Sequence, residues 1–230
     1  MIKRRISSIV FTDNVVIRNM MIVLVFLMLQ TIVQAQSPKP KIPTELLVGN
    51  KNLYFQMVVK RSFTPTSKFR LFVLTNYTAN YEARTEDNRL NIINQVSYTY
   101  KKGFGVMAGA DINSFKGFSP IIGPQHNFVS KKILAVTVAS FFLNEHRDFK
   151  ILGLYEYKPP INEKWSFYSR LQFVHNRSLR SDIHNKSYIY LRAGIKTKST
   201  IFGVGTNLDW NGPNQIFQDN YGVFVRYELN

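Results

Sequence analysis

The sequence contains no cysteine. That excludes disulfides, thiolate metal sites and lipid attachment through an N-terminal cysteine. It is poor in acid, with 14 Asp and Glu against 30 Lys and Arg, a net charge of +16. No Gly-rich phosphate loop, EF-hand or zinc spacing occurs, so no cofactor or metal is expected. It also lacks an apolar run long enough to span a bilayer as a helix, for which about 20 residues are needed. The longest candidate, residues 21–33, is broken by Gln30 and Thr31.

What is present at the N-terminus reads as an export signal. Lys3, Arg4, Arg5 and Arg18 precede the apolar run, and Val33-Gln34-Ala35 supplies the small-residue pattern of a signal-peptidase site. Residues 1–35 are therefore predicted to be a signal peptide, and the mature chain is expected to begin at Gln36. An uncleaved anchor is the alternative, and Met20 or Met21 is an alternative start. Residues 36–42 form a short leader carrying Pro38, Lys39, Pro40 and Lys41. So basic a chain would suggest a nucleic-acid partner in the cytosol. Export sets that partner aside.

From Leu53 onward the dominant pattern has a period of two. Leu53, Phe55, Met57 and Val59 fall on one face, while Tyr54, Gln56 and Lys60 fall on the other. The same alternation sets Val106, Ala108, Ala110 and Ile112 against Gly105, Gly109, Asp111 and Asn113. It returns at residues 149–158 and then in three clearer segments. Trp165, Phe167, Leu171 and Phe173 oppose Tyr168, Arg170 and Gln172; Ile189, Leu191, Ala193 and Ile195 oppose Tyr190, Arg192 and Lys196; Phe202, Val204, Leu208 and Trp210 oppose Gly203, Gly205, Asn207 and Asp209. A soluble sandwich would alternate too. Here one set is almost uniformly apolar, and the opposing set carries charges that a sandwich would have to leave in water on both sheets. The pattern fits a chain whose strands face lipid, where only a closed barrel satisfies every backbone hydrogen bond. The predicted fold is an all-β, transmembrane, antiparallel up-and-down β-barrel over residues 43–230.

Shorter links at residues 64–68, 101–103, 131–132, 159–164 and around Lys198 alternate with more polar ones at 82–89, 114–118, 144–148, 177–186 and 211–219. Short periplasmic turns and longer external loops would produce this alternation. A periplasmic C-terminus then requires a strand before Leu53, and residues 44–48 are the candidate. About twelve strands are expected, with ten as the alternative, because residues 44–48 are few and Pro120 and Pro124 each remove a ladder donor from residues 119–129. Phe63, Phe69, Tyr100, Phe104, Tyr157 and Trp165 gather near strand ends, as an interfacial aromatic girdle would.

Asn220-Tyr221-Gly222-Val223-Phe224-Val225-Arg226-Tyr227 resembles the C-terminal signal by which barrel-assembly machinery recognises outer-membrane proteins. Residues 188–195 and 202–209 are similar to uncharacterised Gram-negative outer-membrane β-barrel proteins. The resemblance spans nearly all of the mature chain. It implies a barrel in the cell outer membrane, inserted by that machinery, and brings no activity with it. The anionic partners within reach of the basic surface are then outer-membrane lipids and lipopolysaccharide.

Three functions remain open: a structural barrel or narrow pore for small solutes, a lipid-modifying hydrolase or acyltransferase, and a partner-binding barrel acting through external loops at 177–186 and 211–219. The enzyme would need a His to activate a Ser. His175 and His184 each have a Ser three residues on, a spacing that in a regular strand puts the two groups on opposite faces, so no catalytic set is predicted. The candidate site is instead a lumen charge network in which Arg170, Arg192 and Arg226 pair with Glu156, Asp209 and Glu228. Such a network either fills a narrow barrel structurally or forms a constriction that selects small anions.

Overall fold

A computed structural model describes residues 40–82 and 88–230, and residues 1–35 with their processing site lie outside the described residues. Twelve strands follow in order: β1 (Ile42–Gly49), β2 (Asn52–Ser62), β3 (Phe69–Asn80), β4 (Arg89–Lys101), β5 (Phe104–Asn113), β6 (Gly117–Val129), β7 (Ile133–Phe142), β8 (Asp148–Tyr157), β9 (Trp165–Ser178), β10 (His184–Thr197), β11 (Thr200–Asn211) and β12 (Ile216–Leu229). Each pairs antiparallel with its sequence neighbours, and β1 pairs with β12 to close the barrel. The short segment before Leu53 is thus a strand. It is the shortest of the twelve, and it begins at Ile42, inside the predicted leader.

The two prolines of β6 are accommodated on its outward face. Ile122 pairs with Phe141 and Gln125 with Val138, so the ladder to β7 lapses at Gly123 and Pro124, where a donor is missing. Pro120 keeps its acceptor in use, taking a hydrogen bond from the Leu143 amide at 2.9 Å. Two strong prolines therefore weaken one seam without abolishing the strand.

The two ends of the barrel are built differently from the expected alternation of loop lengths. At the end that holds Ile42 and Leu229, the connections run from the two-residue turns 102–103 and 198–199 to the seven-residue link 158–164. Lys102 and Gly103 both have positive φ, 49° and 85°, which is the type I′ geometry whose twist matches a hairpin. At the opposite end, the links are also short, with 50–51 the briefest and 81–88 the longest. About half of residues 177–186 and 211–219 is strand, leaving loops only at 179–183 and 212–215. Long external loops for gripping a partner are not found among the described residues.

Alternation decides which side each residue faces. Leu171, Leu191, Val204 and Val225 lie outward, 38 to 61% exposed, in a continuous apolar surface with Val106, Ile122, Phe167 and Phe202. A patch that encircles the molecule far exceeds the few hundred Å² that a water-soluble protein tolerates. Strands of 8 to 14 residues, tilted as barrel strands are, span roughly the 25 Å apolar band of a membrane barrel. The inward sets supply the core.

Candidate functional site

The lumen is filled along its middle by the strands' own side chains. Leu47, Tyr54, Leu74, Tyr168 and Gln172 have no exposure, and Met107, Ile121, Leu154 and Gln56 almost none. Tyr54 meets Tyr190 edge-on at 5.3 Å, and Tyr190 stacks on Tyr188 at 4.2 Å. These residues separate one cavity at the end with the chain termini from two at the opposite end, the larger of which, about 560 Å³, lies among Asn52, Asn80, Lys186 and Asn220. The cavity at the end with the chain termini, of about 550 Å³, is lined by Lys60, Arg70, Gln95, Gln125, Glu156 and Arg226 among others. The smaller one at the opposite end, of about 380 Å³, opens among Asn76, Asp111, Lys150, Asn176 and Tyr188.

Charges are built into this packing in two groups. In the first, Glu45 of β1 accepts from Arg170 Nη2 at 2.7 Å and from Arg192 Nε at 2.8 Å. Both guanidinium side chains are fully buried, and Glu45 nearly so. Arg192 is pinned further by Nη1, which donates to the Leu191 and Thr206 carbonyls. Gly205 makes that position possible, since a Cβ there would lie 2.5 Å from Arg192 Cδ. Next to this pair, Arg226 donates through Nη1 to Glu156 at 2.7 Å and to Tyr168 Oη at 2.6 Å. Lys158 bridges Glu156 at 2.8 Å and Glu228 at 3.3 Å, and Lys196 also holds Glu228.

The second group lies toward the other end. Lys150 is paired with Asp111, and Lys116 reaches Asp148 at 3.0 Å. Asp209 accepts from Tyr190 Oη at 3.1 Å and pairs with Lys186 at 3.2 Å.

The predicted network is therefore only partly one unit. Arg226 with Glu156 is brought together, and Arg170 and Arg192 lie beside them, but Asp209 belongs to the second group and Glu228 is held by lysines. The carboxylate that pairs with both Arg170 and Arg192 is Glu45, which the two-residue period alone does not single out. Its inward parity with Leu47 on β1 was available, but only the closure of β1 on β12 carries it toward β9 and β10.

The histidines are also placed unexpectedly. Asn185 is an extra residue between the pairs His184 with Arg177 and Lys186 with Asn176. This bulge puts His184 and Ser187, three apart in sequence, on the same outward face; the predicted separation onto opposite faces held only for a regular strand. His184 Nε2 and His175 Nδ1 each lie 2.9 Å from Ser187 Oγ.

Fold and lumen together define a membrane-spanning β-barrel with a basic, side-chain-filled interior. No family model matches the chain, and no curated protein matches its sequence. Among solved structures, the KdgM porin is similar at 11% identity with a TM-score of 0.46, over 83% of this chain and 99% of that one. The NanC porin is similar at 11% identity and a TM-score of 0.47, over 83% and 100%. OmpT, an outer-membrane protein of Vibrio cholerae, aligns at 8% identity and a TM-score of 0.35, over 82% and 95%. At this level of similarity, function has to be argued from the chain's own geometry.

Proposed function

We propose that the protein is an outer-membrane β-barrel that acts as a narrow pore for small anions, exported by a signal peptide at residues 1–35. The encircling apolar surface supports the membrane location. The C-terminal strand β12, which closes the barrel on β1, is the segment presented to barrel-assembly machinery, and the basic surface of the barrel meets the phosphates of outer-membrane lipids and lipopolysaccharide.

The observation that carries the pore is the charge of the 550 Å³ cavity. Lys60, Arg70, Lys158, Lys196 and Arg226 line it against Glu156 and Glu228. An excess of one sign around a narrow aqueous space concentrates counter-ions and excludes co-ions. Among the described residues the middle is closed by side chains of the strands, so opening it takes rotamer shifts around Gln56, Gln172 and the tyrosines and leaves every strand folded.

A structural barrel is the second reading, favoured by the full burial of Arg170 and Arg192. Planar-bilayer recording on the refolded, full-length protein separates the two. Small discrete steps with an anion-selective reversal potential support the pore. Sealed bilayers, with insertion verified by gel shift, overturn it in favour of the structural barrel.

A further inference from the structure

The outward face of β10 carries a group of side chains for which a pore has no use. His184 Nδ1 lies 2.8 Å from the carbonyl oxygen of Gly212. A carbonyl can only accept, so Nδ1 carries the proton and Nε2 of the neutral ring is left as an acceptor. Ser187 therefore donates its hydroxyl proton to Nε2, at 2.9 Å. That hydroxyl has no second proton, so the contact with His175 at 2.9 Å must be donated by His175 Nδ1. One serine oxygen thus gives its proton to an oriented base and receives a hydrogen bond from a second imidazole.

This is the order that nucleophilic acyl transfer requires: a hydroxyl, a base in the correct tautomer, and a third group fixing that tautomer. The third group is a backbone carbonyl in the 212–215 turn. The site lies on the membrane face near the rim. Ser187 sits across from Trp210 of β11, which packs on Phe217 at 5.3 Å, and exposed Ile189 follows two residues on. Aromatic rings at a strand end mark the level where acyl esters meet head groups. Arg177, opposite His184 in register, is a partly exposed cation paired with Asp182, a surface partner that a lipid phosphate would displace.

We propose that Ser187, His184 and His175 form a lipid-facing site that hydrolyses the carboxylic esters of glycerophospholipids. Ser187 Oγ attacks the ester carbonyl carbon as its proton passes to His184 Nε2. His175 Nδ1–H is the donor nearest the oxyanion that forms. Collapse breaks the acyl carbon to oxygen bond, and the departing glyceryl oxygen takes the proton from His184. Water then attacks the acyl-serine with its proton going to the same nitrogen, and collapse breaks the acyl carbon to Oγ bond as His184 Nε2 returns that proton to Ser187 Oγ, which releases the fatty acid and restores the serine.

The test uses the full chain refolded in mixed detergent and phosphatidylethanolamine micelles, with folding verified by gel shift. Free fatty acid is measured by mass spectrometry, and a fluorophosphonate probe is mapped to its peptide. Ser187 should take the probe. Ser187→Ala should abolish both labelling and fatty-acid release, and His184→Gln, which keeps a polar side chain but no base, should slow both by at least about 100-fold. Conductance should be the same in all three proteins, so failure of the pore and failure of this site are read separately. A folded wild-type barrel in which Ser187 stays unlabelled, or ester hydrolysis that survives Ser187→Ala, overturns the proposal.

Discussion

Glu45 is the residue on which the lumen's electrostatics turn. It is nearly excluded from water and is shared between two guanidinium groups that are themselves fully buried. Removing one partner of such a set leaves charge without compensation, which typically costs about 3 to 5 kcal/mol. Glu45→Gln is therefore expected to lower the unfolding free energy of the refolded barrel in urea by about 3 to 5 kcal/mol, read as a lower midpoint at unchanged slope. Glu228→Gln should cost far less, because its lysine partners keep 21 and 23% of their side chains in solvent. Equal losses in the two variants would mean that water enters the middle of the lumen freely. Gly205 gives a second residue-scale prediction, since any Cβ there must displace the pinned stem of Arg192. Gly205→Ala should destabilise the barrel, and adding it to Arg192→Ala should cost little more, a non-additivity that a double-mutant cycle would measure.

At the scale of the strand, alternation was enough to assign the faces, and the reason is physical. A two-residue period has only two phases, and lipid on one side with a packed lumen on the other leaves no residue indifferent to the choice. The outward positions of Leu171, Leu191, Val204 and Val225 can be read from their neighbours alone. Arg placed singly at any of them is expected to cost about 2 to 4 kcal/mol near the bilayer midplane, falling toward the rims, as read from unfolding in phospholipid vesicles. Insensitivity of all four would contradict a lipid-facing surface. Bulges escape this reading because one extra residue reverses the phase without leaving a mark in composition. Asn185 does so in β10, and it turns a His and Ser spacing that looks unproductive into a hydrogen bond. Cross-barrel pairing escapes it as well. Glu45 and Arg170 are 125 residues apart, and their meeting depends on closure and stagger, which no local pattern encodes. Asp209 was assigned to the arginines by strand proximity alone, whereas its height along β11 places it with Lys186 and Tyr190.

For the whole molecule, charge is distributed with a purpose that differs between the middle and the mouth. In the middle every buried arginine is held in an ion pair, Arg170 and Arg192 sharing Glu45 and Arg226 on Glu156, so two carboxylates offset most of the field of three guanidinium groups. At the mouth with the chain termini, Lys60 and Arg70 line the cavity and neither is held in an ion pair among the described residues. Unmatched charge facing water is what an approaching ion senses, within a Debye length of about 10 Å at 0.1 M salt. Selectivity should then depend on these two side chains, and stability on the paired ones. The double variant Lys60→Glu with Arg70→Glu is expected to move the reversal potential in a KCl gradient from anion-selective toward cation-selective. Its urea midpoint should fall by less than that of Glu45→Gln, because no ion pair among the described residues is broken, although a Glu at position 60 adds repulsion toward Glu156. An unchanged reversal potential would relocate selectivity to the packed middle, where Arg170 and Arg192 would have to exchange Glu45 for a passing anion. Loss of stability without a change in selectivity would instead show that Lys60 and Arg70 hold the mouth together, and would leave the structural barrel as the better account.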